Sequence, residues 1–494
     1  MKRPAHILVG MLLVGVAAPL TAQDLPSVPQ TLSLQDAVDI ALNNNPTYLQ
    51  TRNDGAPASW AVRNAFASWL PSVTANSRIA YQGSGEQRFL ATEFRTSPTI
   101  GSGYGLNVNW QFNGRTLMEP SRQGAARAAV TASIDASAMT TRNQVVQQYV
   151  AVLEAEAQVG LQERQVTRDE ENLRLAQARY EVGQTTMLDV RQAQVAQGRS
   201  NVARLQARQT LNVEKLRLFQ QMGVEAPSDL SVVALSDSFP VVEPIFTLDD
   251  LLNQADMNNP DVAQLRAQET SAEWNSRAAK TDWLPSVSVN ASWSGFTQQF
   301  TDVEPQILQA ETSAMNNVAS CQQQNQIYVS AGLDPRNCTE FEFTAADEAG
   351  IRAANSVFPF NFTSQPFNAS LSVSFPIFNQ FQRNLNNSQL SAAAADASEA
   401  RRARELQVRT DVSEQYYAVL AAYESIQIQE TNRVAAQEQL RLAREQYRVG
   451  ANTFFNLLDA QVVAQQAAAE YITAFFSYHR SMANLEAAVG RSLR

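Results

Sequence analysis

Two histidines, His6 and His479, and two cysteines, Cys321 and Cys338, are the only imidazole and thiol groups in the 494 residues. A structural zinc site needs four such ligands at short paired spacings, and a thiol nucleophile needs an imidazole oriented beside it. Neither pattern is present. The sequence also lacks HExxH, a GxxxxGK[ST] phosphate loop and a GxSxG elbow. Gly101-Ser102-Gly103-Tyr104-Gly105 has the wrong spacing for a dinucleotide and reads as the lead into a strand. Asp249-Asp250 reads as an acidic helix start. These residues describe no enzyme, no metal site and no cofactor. Cys321 and Cys338 bracket 16 residues. In an exported chain they form a disulfide worth roughly 3 kcal/mol by loop entropy.

Export is indicated by residues 1–22, which read as a signal peptide: Lys2 and Arg3, an apolar run from Ile7 to Leu20, and Ala22 before the cut. His6 leaves with it, and a lone His479 suits a structural or surface role better than a ligand or a base. Loss of Lys2 and Arg3 takes the formal charge from −10 to −12, which argues against nucleic acid as a partner. No later apolar run is long enough for a transmembrane helix, so a spanning form would cross as strands.

The rest of the chain is written twice. Leu34 to Pro46 returns 214 residues later as Leu248 to Pro260, and Trp69-Leu70-Pro71-Ser72 returns as Trp283-Leu284-Pro285-Ser286. At an offset of 267, Tyr180-Glu181-Val182-Gly183 returns as Tyr447-Arg448-Val449-Gly450, Ala193-Gln194 as Ala460-Gln461, and Gly223 as Gly490. The copies, 23–240 and 241–494, should each build the same structural unit. They differ by an insertion of 53 residues between Gln298 and Gln365.

Each copy holds two segments that alternate apolar and polar residues, predicting strands near 70–82, 104–113, 285–296 and 367–378. Leu106, Val108, Trp110 and Phe112 alternate with Asn107, Asn109 and Gln111. Phe367, Ala369, Leu371, Val373 and Phe375 alternate with Asn368 and three serines. A greasy face backed by small uncharged polar groups suits a barrel wall between lipid and water, although a soluble sandwich shares the period. Four strands do not close a barrel, and open edges are not tolerated in lipid, so a spanning form must oligomerise. Residues 298–366 then form a long outer loop.

The remainder reads as helix. Ser121 to about Glu181 and about Ser391 to Arg448 contain no proline, and sixty such residues reach ~90 Å. Val145, Val152, Val159, Val166, Leu173 and Tyr180 recur every seven residues, as do Val412, Val419, Ile426, Arg433, Leu440 and Tyr447. That spacing predicts coiled-coil packing, with a charged interruption at Arg433. Gly183-Gln184-Thr185-Thr186 and Gly450-Ala451-Asn452-Thr453 then predict a helix end, a tight tip near 182–186 and 449–453, and a capped second helix.

This duplicated order, from NNNP helix through WLPS strand, long helix and Tyr-x-Val-Gly tip, resembles the TolC family of outer-membrane efflux ducts. The resemblance covers nearly all of the chain after residue 22. It implies a mainly α chain with a membrane β part: long helical hairpins forming a periplasmic α-barrel, and four strands per chain in a trimeric twelve-stranded outer-membrane β-barrel. It further implies a homotrimer in the outer membrane of a Gram-negative bacterium. Such a duct passively conducts cargo from an inner-membrane pump through a periplasmic adaptor, as in tripartite efflux or type I secretion. Small molecules, metal ions and secreted protein are all compatible cargo. By the same resemblance Asp459 is one acidic position of the tunnel mouth. Asn456 stands where a second acid is expected, and Asn452 where a basic residue is expected. Asp189 is expected to bond Tyr447 and hold the tip closed. Val182, Gly183, Gln184 and Thr185, with Val449, Gly450, Ala451, Asn452 and Thr453, are the expected adaptor contacts. An exported coiled-coil scaffold that conducts nothing is the alternative, and the amphipathic strand pairs count against it.

Overall fold

A computed structural model describes residues 31–89 and 92–493; the expected signal peptide lies outside them. The first copy runs β1 (Thr31–Leu32), α1 (Leu34–Asn44), α2 (Pro46–Asn53), α3 (Gly55–Ala67), β2 (Ser72–Gln82), the hairpin β3 (Gly85–Phe89) and β4 (Thr92–Thr96), β5 (Thr99–Phe112), α4 (Gly114–Glu181) and α5 (Met187–Met222). The second runs β6 (Ala234–Leu235), α6 (Leu248–Asn258), α7 (Pro260–Lys280), β7 (Ser286–Phe300), α8 (Glu304–Ser330), α9 (Ala345–Ala354), β8 (Thr363–Ser364), β9 (Asn368–Ser374), α10 (Gln382–Arg448) and α11 (Phe454–Val489). Two compact units result, each drawing on both copies: 31–57, 128–269 and 397–493 in one, 58–127 and 270–396 in the other.

The second unit holds the sheet. β2, β5, β7 and β9 pair antiparallel in that order. The register lines Val73, Val108, Ala291 and Ala369 across one face and Thr74, Asn107, Ser292 and Asn368 across the other. On the apolar face Val73, Ile79, Tyr81, Trp293, Leu371 and Val373 are all exposed. On the polar face Asn107 Nδ2 donates to Asn76 Oδ1 at 3.0 Å. β5 starts at Thr99, so Gly101 to Gly105 lies inside the strand instead of leading into it. The cause is its partner: β7 extends to Phe300 and carries the ladder out to Thr99.

The long helices also start earlier than their composition suggested. α4 passes through Pro120, whose missing N–H frees the Thr116 carbonyl. Trp69 Nε1 donates to that carbonyl at 2.9 Å, which explains the tryptophan of the first WLPS motif. α10 extends back to Gln382, where Gln380 and Phe381 adopt φ of 57° and 60° and stop it. The expected outer loop is itself folded, holding α8 and α9, with Cys321 and Cys338 joined by a disulfide. Alkylation of the unreduced protein is expected to label neither thiol; labelling at either would show the bridge unformed.

In the first unit the seven-residue stripes are the cores. Val145 and Val152 pack with Leu218, Phe219 and Met222, while Val412, Val419 and Ile426 pack with Tyr478, Met482 and Leu485. Arg433 is accommodated at the edge, paired with Glu430 at 2.6 Å and lying 5.0 Å from the Tyr471 ring. The repeated NNNP and terminal glycine serve one joint in each copy. Asn45 caps α2 through Thr47 and Tyr48 N–H, and its Nδ2 donates to the Gln221 carbonyl at 2.8 Å. Asn259 does the same with Asp261, Val262 and the Ala488 carbonyl. Gly223 and Gly490, two residues beyond those carbonyls, take φ of 71° and 85° and let the backbone after α1 and α6 approach.

Candidate functional site

Both expected tips form tight turns at Gly183 and Gly450, with φ of 76° and 78°. Thr186 caps α5 and Thr453 caps α11. Val182, Gly183, Gln184, Val449, Gly450, Ala451 and Thr453 are exposed, with Thr185 and Asn452 half-buried, so each turn presents glycine backbone beside an exposed valine to solvent. Asn452 Oδ1 accepts from Thr453 N–H at 2.9 Å, and its Nδ2 donates to Gln446 at 3.0 Å. Asn456 and Asp459 are exposed on the first turns of α11.

The expected bond from Tyr447 to Asp189 does not form. Asp189 Oδ2 is occupied by the Thr185 hydroxyl and by Thr186, through its N–H at 3.1 Å and its hydroxyl at 3.0 Å. The carboxylate therefore completes the cap of its own helix. Burial pushes its pKa up, but the threonine bonds and nearby Arg179 outweigh this and hold it below the usual carboxylate value. Tyr447 is only 3% exposed, and burial raises its phenol above the ordinary range. Its partner is Arg179, which the sequence reading missed. The guanidinium lies 4.6 Å from the Tyr447 ring centroid, and Nη1 donates to the Tyr447 backbone carbonyl.

A second missed group lies higher on the hairpins. Asp169, 3% exposed, accepts from Gln165 Nε2 at 3.1 Å and from Gln461 Nε2, while Asn172 Nδ2 donates to Gln461 Oε1 at 2.8 Å. The recurring Ala-Gln pair is thus half conserved in use. Ala193 and Ala460 both pack in the tip core, but Gln461 crosses to α4 while Gln194 accepts from Arg191 on its own helix at 2.8 Å. The signal was present three residues beyond the stripe, where Gln148, Ala155, Gln162, Asp169 and Ala176 form a row with polar members.

One unit thus holds long hairpins with capped tips, and the other a sheet with an exposed apolar face. Among the described residues no helix is long and apolar enough to cross a membrane. The model of the outer membrane efflux protein family matches residues 37–224 and 340–491. The chain belongs to that family, the TolC family of outer-membrane efflux proteins. It is a non-enzymatic outer-membrane channel of a tripartite efflux or type I secretion system, with a long periplasmic helical extension. It works as a homotrimer with an adaptor protein and an inner-membrane pump. Its fold is similar to that of CusC, at 15% identity over 93% of this chain and 92% of that one, with a TM-score of 0.67. It is also similar to the open state of the MtrE outer membrane channel of Neisseria gonorrhoeae, at 18% identity over 96% and 95% and a TM-score of 0.66. VceC of Vibrio cholerae matches at 15% identity over 93% and 97%, with a TM-score of 0.64.

Proposed function

We propose that three chains, each giving four strands, close one twelve-stranded barrel, and that the hairpin tips form a constricted, cation-selective mouth that docks the adaptor. The carrying observation is the sheet itself: one apolar face is exposed, and the outer edges of β2 and β9 are unpaired among the described residues. Lipid accepts the apolar face but not unpaired backbone, so each chain's β9 edge pairs with a neighbour's β2 edge. Each copy, 23–240 and 241–494, supplies two strands and one hairpin. At the mouth, one Asp459 per chain forms a ring of like charge about the axis, which favours cations. Asn456 leaves that ring single. Val182 to Thr185 and Val449 to Thr453 are the adaptor contacts, because small exposed turns allow a partner's backbone to approach closely.

Single-channel current in a planar bilayer, with multivalent cations added on either side, tests this. A cation-selective conductance blocked from one side, with block relieved by Asp459→Asn, is expected. Conductance without cation block would remove the acidic ring and keep the duct. An inserted trimer without conductance would favour the scaffold reading.

A further inference from the structure

The returning limb of the second-copy insertion is fastened to β7 before it becomes β8. Asn355 takes the place of a ladder partner at the strand's end: its Nδ2 donates to the Phe300 carbonyl and its Oδ1 accepts from Phe300 N–H, both at 2.8 Å. β8 then pairs Thr363 with Phe296 and Ser364 with Gly295. Between these two points the chain crosses the face of the sheet. Gln299 Oε1 accepts from Val357 N–H at 3.2 Å and from Phe358 N–H at 3.0 Å, and the Ser102 hydroxyl donates to the Pro359 carbonyl. The Phe362 ring meets Tyr104 edge to face with centroids 4.9 Å apart. Tyr104 leans over Gly295, where an added Cβ would lie 2.6 Å from the ring.

The face that is crossed is the apolar one. Ser102, Tyr104, Leu106 and Val108 share a side of β5, and Gln299, Thr297, Trp293 and Ala291 share the same side of β7. Toward Phe112 and Val287 that side is apolar; toward Phe300 it carries the Ser102 and Thr297 hydroxyls, 2.9 Å apart. They are only 9% and 4% exposed, and Pro359 supplies the acceptor that a buried hydroxyl needs. A lipid-facing band ~25 Å tall, crossed by strands tilted by ~40°, takes about ten residues of each strand. Counted from the Phe112 and Val287 pair, ten residues end at the Ser102 and Thr297 pair, where the chain crosses. Irregular backbone is not tolerated inside hydrocarbon, but water among the headgroups satisfies it at the rim. Phe360, in the middle of the crossing, is 81% exposed.

We propose that residues 357–362 form a strap that fastens the insertion to the lipid side of the barrel, with Phe360 seated in the outer leaflet at the headgroup boundary. This rests on the reading of the apolar sheet face as the lipid face, with which the strap is continuous.

Cys321 and Cys338 are bridged, so Phe360→Cys and Val73→Cys each give the unreduced chain a single reactive thiol. Each variant is labelled with an environment-sensitive dye, assembled as trimers in lipid nanodiscs, and read with nitroxide lipids and aqueous iodide. At position 360 the emission should shift to the blue and be quenched by nitroxide near the headgroups, with little loss to iodide. At position 73, midway up the apolar face, nitroxide deep in the acyl chains should quench best. Iodide quenching at 360 without lipid quenching, with position 73 still quenched by lipid, would overturn the anchor and leave the barrel standing. A label at 360 reached by neither quencher would give Phe360 to a protein partner and overturn the anchor equally. Loss of lipid quenching at both positions would overturn the lipid face and the anchor together. Should Phe360→Cys fail to assemble, Asn361→Cys is read in the same way, and iodide quenching there without lipid quenching overturns the anchor.

Discussion

Gly490→Ala is expected to abolish the folded trimer, whereas Gly183→Ala leaves it intact. Both glycines have positive φ, so alanine pays about 1–2 kcal/mol of left-handed strain at either site. The difference is what the new methyl meets. At Gly490 it would stand 2.4 Å from the Asn258 carbonyl oxygen and 2.9 Å from Asn259 Cα, both backbone atoms that cannot swing aside. Relief requires the end of α11 to part from the start of α7, which breaks the Asn259 bond to the Ala488 carbonyl and opens the core around Leu485 and Val489. The combined cost exceeds about 4 kcal/mol, the range reserved for a named structural lesion. At Gly183 nothing lies within 4 Å of the added carbon. Unboiled gel mobility and trimer yield from outer membranes read both variants. A Gly490→Ala trimer with parental heat stability would show that the joint is looser than this geometry. Gly223, with the Asn44 carbonyl oxygen also at 2.4 Å, should repeat the result in the first copy.

Val419→Asp should be as damaging, with a pH signature. Val419 is fully buried in the second-copy core, among neighbours that offer apolar contacts. A carboxyl there is driven neutral, with its folded pKa raised by roughly 3–5 units, equivalent to about 4–7 kcal/mol at high pH. Because the folded pKa is raised, this ionisation penalty is absent below about pH 4, where the unfolded chain is also protonated. It grows as pH rises and levels off above the folded value. Val419→Ala, which loses only methyl groups, should cost roughly 2 kcal/mol. That cost should not vary with pH. Thermal dissociation of trimers at pH 5 and pH 8 separates the two, and an Asp variant as stable at pH 8 as the Ala variant would mean that water reaches the stripe.

What was legible in the residues was what repeats at short range. Period two marked the four long strands β2, β5, β7 and β9, because successive side chains of a strand face opposite sides whatever surrounds them, while the short β1, β3, β4, β6 and β8 carried too few residues to show it. Period seven located the buried stripes, and glycine followed by threonine located both tips, because helix ends are satisfied by groups a few residues away. The duplication was legible for the same reason: each copy carries its own joint of asparagine and glycine.

Contacts across hundreds of residues were decided only by the packed chain. Asp189 and Tyr447 were paired by family pattern, but local caps compete for carboxylates, and Thr185 and Thr186 are nearer. Arg179 meets a carbonyl 268 residues away, and nothing in the spacing of either segment announces it. Tyr180 and Tyr447 occupy the same heptad position, yet one is exposed and the other buried, since a stripe specifies which face will pack and not what arrives to cover it. Local periodicity therefore determined the long elements and the helix ends at the tips, but not where α4, α10 and β5 begin. Which charge meets which ring depended on the relative placement of α4 and α10, which only their shared core determines.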